Sequence, residues 1–165
     1  MKNPSRNYFY ILLVMFFISC EKQDELSPIT VPPIRPSYIS FNEDTIAVKL
    51  IITSARKEYV GSLLATAIDG KQPDSILQKN NLIIRVTGDS ARVYSNTEIF
   101  ASYTDSLGNS FATANDDTTN IVQITKFEKK ADGIVEGSFT IRVSNFTKTK
   151  ILLLNKGMFS TAFFE

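Results

Sequence analysis

The sequence predicts an all-β fold, a single antiparallel β-sandwich or barrel-like domain, on three observations. Apolar and polar residues alternate over short stretches, and those stretches are rich in Val, Ile and Thr. Turn-forming residues recur about every 8–12 residues, the spacing of strands in such folds. The 3.6-residue period of an amphipathic helix is missing.

The elements follow in order. Ile46, Val48, Leu50 and Ile52 alternate as one strand. Residues 54–67, with Tyr59-Val-Gly-Ser-Leu-Leu-Ala at their centre, suit either a strand or a short helix, and the strand reading is preferred. Leu82-Ile-Ile-Arg-Val-Thr87 is a compact β-branched run. Ile99, Ala101 and Tyr103 alternate up to a turn at Asp105-Ser-Leu-Gly-Asn109, and residues 110–114 return. Residues 120–127 and 134–143 flank Glu128-Lys-Lys-Ala-Asp-Gly133, whose Asp-Gly ending is a hairpin signal. Two last strands, 150–155 and 158–164, are expected to join near Lys156-Gly157. Phe127, Phe139, Phe146, Phe159, Phe163 and Phe164 are expected to fill the core, where aromatic residues of a β protein usually lie. Gly70 and Gly133 suit turns that need a positive φ, and Gly137 suits a place where an aromatic ring, with Phe139 nearby, crosses a strand pair.

This domain occupies residues 37–165, a length that buries a real core without disulfides. Residues 1–19 read as an export signal. Lys2 and Arg6 form its basic start, and Tyr8 to Ile18 is an unbroken apolar run, shorter than the roughly twenty residues a membrane-spanning helix needs. The run ends in Phe17-Ile-Ser-Cys20, which resembles a lipobox with Phe in place of the usual Leu. Cys20, the one cysteine of the chain, is therefore the expected lipidation site and membrane anchor. Residues 20–36 form the lipidated N-terminus and a tether. Four of the six prolines (Pro28, Pro32, Pro33, Pro36) make it an extended, semi-rigid spacer. Glu21-Lys-Gln-Asp-Glu25 resembles the acidic signal that follows the lipidated cysteine of Bacteroidota lipoproteins sent to the outer face of the outer membrane. Surface display is the expectation, with the periplasmic face as the alternative.

From Leu64 onward, Ala65-Thr-Ala-Ile-Asp-Gly-Lys71, Ile121-Val-Gln-Ile-Thr-Lys-Phe127, Ile134-Val-Glu-Gly-Ser-Phe-Thr-Ile141 and Leu153-Leu-Asn-Lys-Gly-Met-Phe159 resemble the motifs of DUF6252, a family of small Bacteroidota lipoproteins of unknown function. The chain departs from the family's pattern at Glu128, where Asp is usual, at Glu136, where Ser is usual, and at Lys156, inserted between the usual Asn and Gly. The resemblance implies a lineage and a fold but no activity.

Composition argues against most catalytic chemistry. There is no histidine, so the commonest general base, the Ser-His-Asp triad and the commonest metal ligand are all missing. No phosphate-cradling glycine motif occurs. Glu98, Glu128, Glu136 and Asp105 are candidates by type alone for a two-carboxylate glycoside hydrolase, although solvated strand faces and turns are their simpler reading. Asp116-Asp117, with Asn115 and Asn120, offers oxygen ligands but not the spacing of a calcium loop. Neither metal nor cofactor is expected. With Lys2 and Arg6 set aside from the 18 basic residues, the chain nearly balances its 17 acidic ones, which gives no reason to expect nucleic acid as a partner.

Five segments, Asp44-Thr-Ile, Asp74-Ser-Ile, Asp89-Ser-Ala, Asp105-Ser-Leu and Asp117-Thr-Thr, resemble the acceptor motif of bacterial O-glycosylation, making Thr45, Ser75, Ser90, Ser106 and Thr118 candidate sites. Asp-Ser and Asp-Thr also favour turns for purely local reasons. The expected function is a non-catalytic binding or accessory module of the cell envelope, with a glycan, a peptide or an envelope protein as ligand. A purely structural envelope component is the alternative, and the carboxylate hydrolase comes third.

Overall fold

The computed structural model describes residues 37–73, 79–114 and 117–164. The signal segment, Cys20, the tether, Ser75, Asn115 and Asp116 lie outside the described residues. The domain is all β, as the alternation predicts. Its strands are β1 (Tyr38–Glu43), β2 (Ile46–Leu50), β3 (Ile52–Val60), β4 (Leu63–Lys71), β5 (Asn81–Thr87), β6 (Val93–Ser95), β7 (Ile99–Thr104), β8 (Ser110–Ala112), β9 (Ile121–Phe127), β10 (Gly133–Ser144) and β11 (Ile151–Phe164). A 3-10 turn, Asn96–Glu98, leads into β7.

The strands form one sheet in the order β2-β1-β11-β3-β4-β5-β7-β8-β10-β9-β6, and an additional β10–β11 pairing closes it on itself. Closure works because the two longest strands each divide an edge between two partners. One edge of β11 pairs with β1 over Leu154–Ser160 and then, in parallel, with β3 at Phe163 and Phe164. One edge of β10 pairs with β9 over Val135–Thr140 and then with β8 at Ser144. All pairings except β11–β3 are antiparallel.

The core lies between the two halves of this closed sheet. Ile39, Phe41, Leu50, Phe139, Ile141, Leu154 and Phe159 from one side meet Ile68, Leu82, Ile84, Ala101 and Tyr103 from the other. Phe41 touches the Tyr103 ring edge-on at 5.5 Å, and Tyr103 stacks on Phe111 at 6.4 Å. The Tyr103 hydroxyl donates to Glu43 Oε2 at 2.8 Å. Burial and this bond to a carboxylate push the phenol's pKa far up.

Several expectations need correction. The alternating run Ile46–Ile52 is two strands, because the chain breaks at Ile51 and passes from β1's edge to β4's. The last two strands are one. Asn155–Gly157 is a bulge inside β11, with Lys156 at φ 50°, since β11 keeps pairing with β10 on both sides of it. Phe146 is fully exposed and Phe164 half exposed, so only four of the six named phenylalanines serve the core. The positive-φ glycines are Gly61, Gly88 and Gly108, while Gly70 and Gly133 are extended. Gly70 instead leaves space for Ile39 and Leu50, and Asp132 takes the left-handed position before Gly133. Gly137 does make room for a ring, but the ring is Phe159's, directly opposite. Gly157 does the same for Phe139, and an added Cβ at either glycine would lie 2.5–2.6 Å from ring carbons.

Candidate functional site: a groove on the outer sheet face

The outward rows of β3, β4, β5 and β7 build a groove. Arg56, Ala67, Arg85 and Phe100 stand in one row across these four strands, and Glu58, Ala65 and Thr87 in the next. The two alanines leave a trough along β4. Long side chains lie over it: Arg85 is paired to Glu58, which also meets Arg56 at 3.5 Å, and Arg56 is paired to Asp69. This cover leaves Ala65 and Ala67 buried although they are on the outer face.

Beyond the Glu58–Arg85 pair the trough opens into a groove of about 640 Å³. Its apolar wall is Tyr59, Val60 and Leu63 at the β3–β4 turn, with Phe100 opposite, at 75%, 55%, 60% and 44% exposure. The turn holds these residues out because Gly61, at φ 64°, permits a tight reversal there. Phe100 lies 5.8 Å from the Arg85 guanidinium, so the cation rests against the ring. Thr87, Thr97 and Glu98 complete the polar side. Contiguous exposed apolar surface of this kind, rimmed by polar groups, marks interaction sites on soluble domains.

The groove holds two carboxylates, and both are occupied. Glu98 accepts from Arg92 at 2.6 Å and from the Ser95 backbone N–H at 3.2 Å, and these bonds hold its pKa below the usual range. Glu58 is held by Arg85 and Arg56. A glycosidase acid needs the opposite displacement, a carboxyl that keeps its proton near neutral pH. The other carboxylates named from sequence lie elsewhere. Glu128 follows β9, and its bond to Lys126 lowers its pKa. Glu136 lies within β10 and accepts from the Ser160 hydroxyl. Asp105 follows β7. Burial pushes its carboxyl up, but bonds from the Asn109 side chain and the Asn109 and Leu107 N–H groups, with Lys150 at 3.8 Å, outweigh that and leave it lowered. The structure therefore does not bring these four together. Among the described residues no cluster of acidic side chains suits a metal ion.

Thr45, Ser90, Ser106 and Thr118 are all exposed, each in a turn or connection. The preceding acids have structural work. Asp44 accepts from the Leu153 N–H, Asp105 organises its own turn, and Asp117 accepts from Thr119. Local turn chemistry thus explains Asp105 and Asp117, and a long-range bond explains Asp44, but neither explains the exposure of Ile46 (68%) and Leu107 (77%), which follow two of the sites and serve no core.

The groove escapes sequence reading because Tyr59, Val60 and Leu63 look like ordinary strand residues. The signal that would reveal it is the small-residue alternation Ala65, Ala67 beside a glycine turn. Comparison with family models, curated proteins and solved structures gave no match to this chain.

Proposed function

We propose that this chain is a lipid-anchored protein of the cell envelope, held through Cys20, whose β domain is a non-catalytic binding module. The groove on the outer sheet face is its site, and an extended segment of an envelope protein is its ligand. One observation carries the reading: four large apolar side chains, Tyr59, Val60, Leu63 and Phe100, line a single groove and contribute little to the core. Ion pairs flank the apolar wall, so an apolar anchor in a polar rim is the chemistry offered. The lipobox around Cys20 supports the anchor, and the acidic segment Glu21-Lys-Gln-Asp-Glu25 with the resemblance to DUF6252 supports the outer membrane as its location. Thr45, Ser75, Ser90, Ser106 and Thr118 remain its candidate glycosylation sites.

Two measurements test it. Cys20→Ala should move the protein from the membrane fraction to the soluble one in its native host, and unchanged membrane association would overturn the anchor. A photoreactive residue at Tyr59 should give a discrete crosslinked adduct in intact cells that disappears on adding Leu63→Ala and Phe100→Ala. No adduct, or one indifferent to both changes, would overturn the groove.

A further inference from the structure

We propose that the seam between β8 and β10 is a second site, which binds an acidic saccharide, a sugar ring carrying a carboxylate or sulfate. The seam exists because β8 meets β10 only at Ala112 and Ser144, while β9 has left the same edge at Thr140. Between them the Arg142 backbone N–H finds no strand partner and donates to the side-chain oxygen of Asn120 at 2.8 Å. The gap beside it opens as a hollow of about 290 Å³ whose polar lining is Asp117, Thr118, Thr119, Arg142, Ser144 and Lys148. A second hollow of about 320 Å³, which shares Ala114, Ser144 and Lys148 with the first, reaches Phe146.

Neither cation here is closely paired to an acid. Of the four described arginines, Arg56, Arg85 and Arg92 are closely paired, whereas Arg142 reaches Asp117 only at 3.9 Å. That aspartate is occupied through its other oxygen by the Thr119 N–H and hydroxyl, at 2.9 and 2.6 Å. Lys148 has no acidic partner among the described residues. It sits at φ 56°, a conformation that glycine or asparagine takes at less cost. The turn is nevertheless fixed, with the Lys148 N–H donating to the Asn145 carbonyl and the Lys150 N–H to Asn145 Oδ1.

A guanidinium and an ammonium in one hollow suit a carboxylate or sulfate. The Thr118, Thr119 and Ser144 hydroxyls both donate and accept, matching sugar hydroxyls. Phe146, fully exposed, offers the flat apolar face on which a ring stacks. The chain's net charge of +1 gives no general attraction for polyanions, so retention of one would have to be local.

The test uses the unlipidated chain with Cys20→Ala, its intact mass showing no glycan, because a glycan on Thr118 would fill the seam. Calorimetry and affinity electrophoresis compare polygalacturonate, dextran sulfate, neutral dextran and poly-glutamate. At least one acidic polysaccharide should bind and neutral dextran should not. Arg142→Gln and Lys148→Gln should each weaken binding about tenfold, and Phe146→Ala should weaken it as well. Lys130→Gln, on the β9–β10 turn, should leave it unchanged. Arg142 and Lys148 are exposed, so their variants should melt like the parent. Failure of both acidic polysaccharides, equal binding of dextran, preference for poly-glutamate, or indifference to the seam variants would each overturn the proposal.

Discussion

The hairpins β3–β4 and β10–β11 are built alike, as antiparallel pairs joined by short turns, yet they use their aromatic residues in opposite ways. In β10–β11 the rings go inward, and each meets a glycine on the facing strand: Phe159 opposite Gly137, Phe139 opposite Gly157. In β3–β4 the inward side is carried by small residues such as Ala55 and by Ile68, while Tyr59, Val60 and Leu63 cluster at the solvent end. A glycine opposite a ring spends conformational freedom on close packing. An apolar side chain in water contributes nothing to folding. The β10–β11 hairpin therefore holds the fold together, and β3–β4 is free to carry recognition.

The sharpest way to break this contrast is Phe159→Ala, which should cost about 3–5 kcal/mol in urea unfolding as a buried ring is replaced by a cavity. Gly157→Ala comes next. Its Cβ would lie 2.5 Å from the Phe139 ring, and overpacking of this kind costs about 1–3 kcal/mol. Adding Phe139→Leu should recover part of that loss, and a double-mutant cycle measures how much.

A smaller effect belongs to Tyr103. Its pKa is raised in the folded state, so its contribution is complete below the unfolded value near 10 and fades as pH rises above that. Stability should fall on the alkaline side of about pH 10, and Tyr103→Phe should flatten that fall. The smallest effect lies at the other hairpin. Leu63→Ala and Phe100→Ala should change stability by no more than about 0.5 kcal/mol, since neither side chain is in the core. A loss above about 2 kcal/mol would mean the groove wall is structural and would remove the contrast.

Most strands were legible in the sequence because a half-buried strand writes its own alternation. The runs at 82–87, 99–104 and 121–127 are examples, each showing buried residues at every second position over most of its length. What the sequence withheld is pairing over long separations. Nothing local in Ile46–Ile52 marks Ile51 as the point where the chain changes partners, and three-residue β6 is too short to have a pattern. Gly137 was legible as a place for a ring, but not the ring itself, because Phe159 reaches it only through the β10–β11 register. The groove was illegible for the same reason. Its walls come from β3, β4, β5, β7 and the turn before β7, and only the sheet brings them together.

The divided edges of β10 and β11 also bear on the order of folding. β1 pairs with β2 on one edge, but its other edge is filled only by β11, the last described strand, and β3 meets β11 through Phe163 and Phe164 near the end of the described chain. A nascent chain lacking β11 leaves both early strands with an open edge and the ring unclosed. Such distant contacts slow folding. The domain should therefore stay open until β11 has joined both β1 and β3.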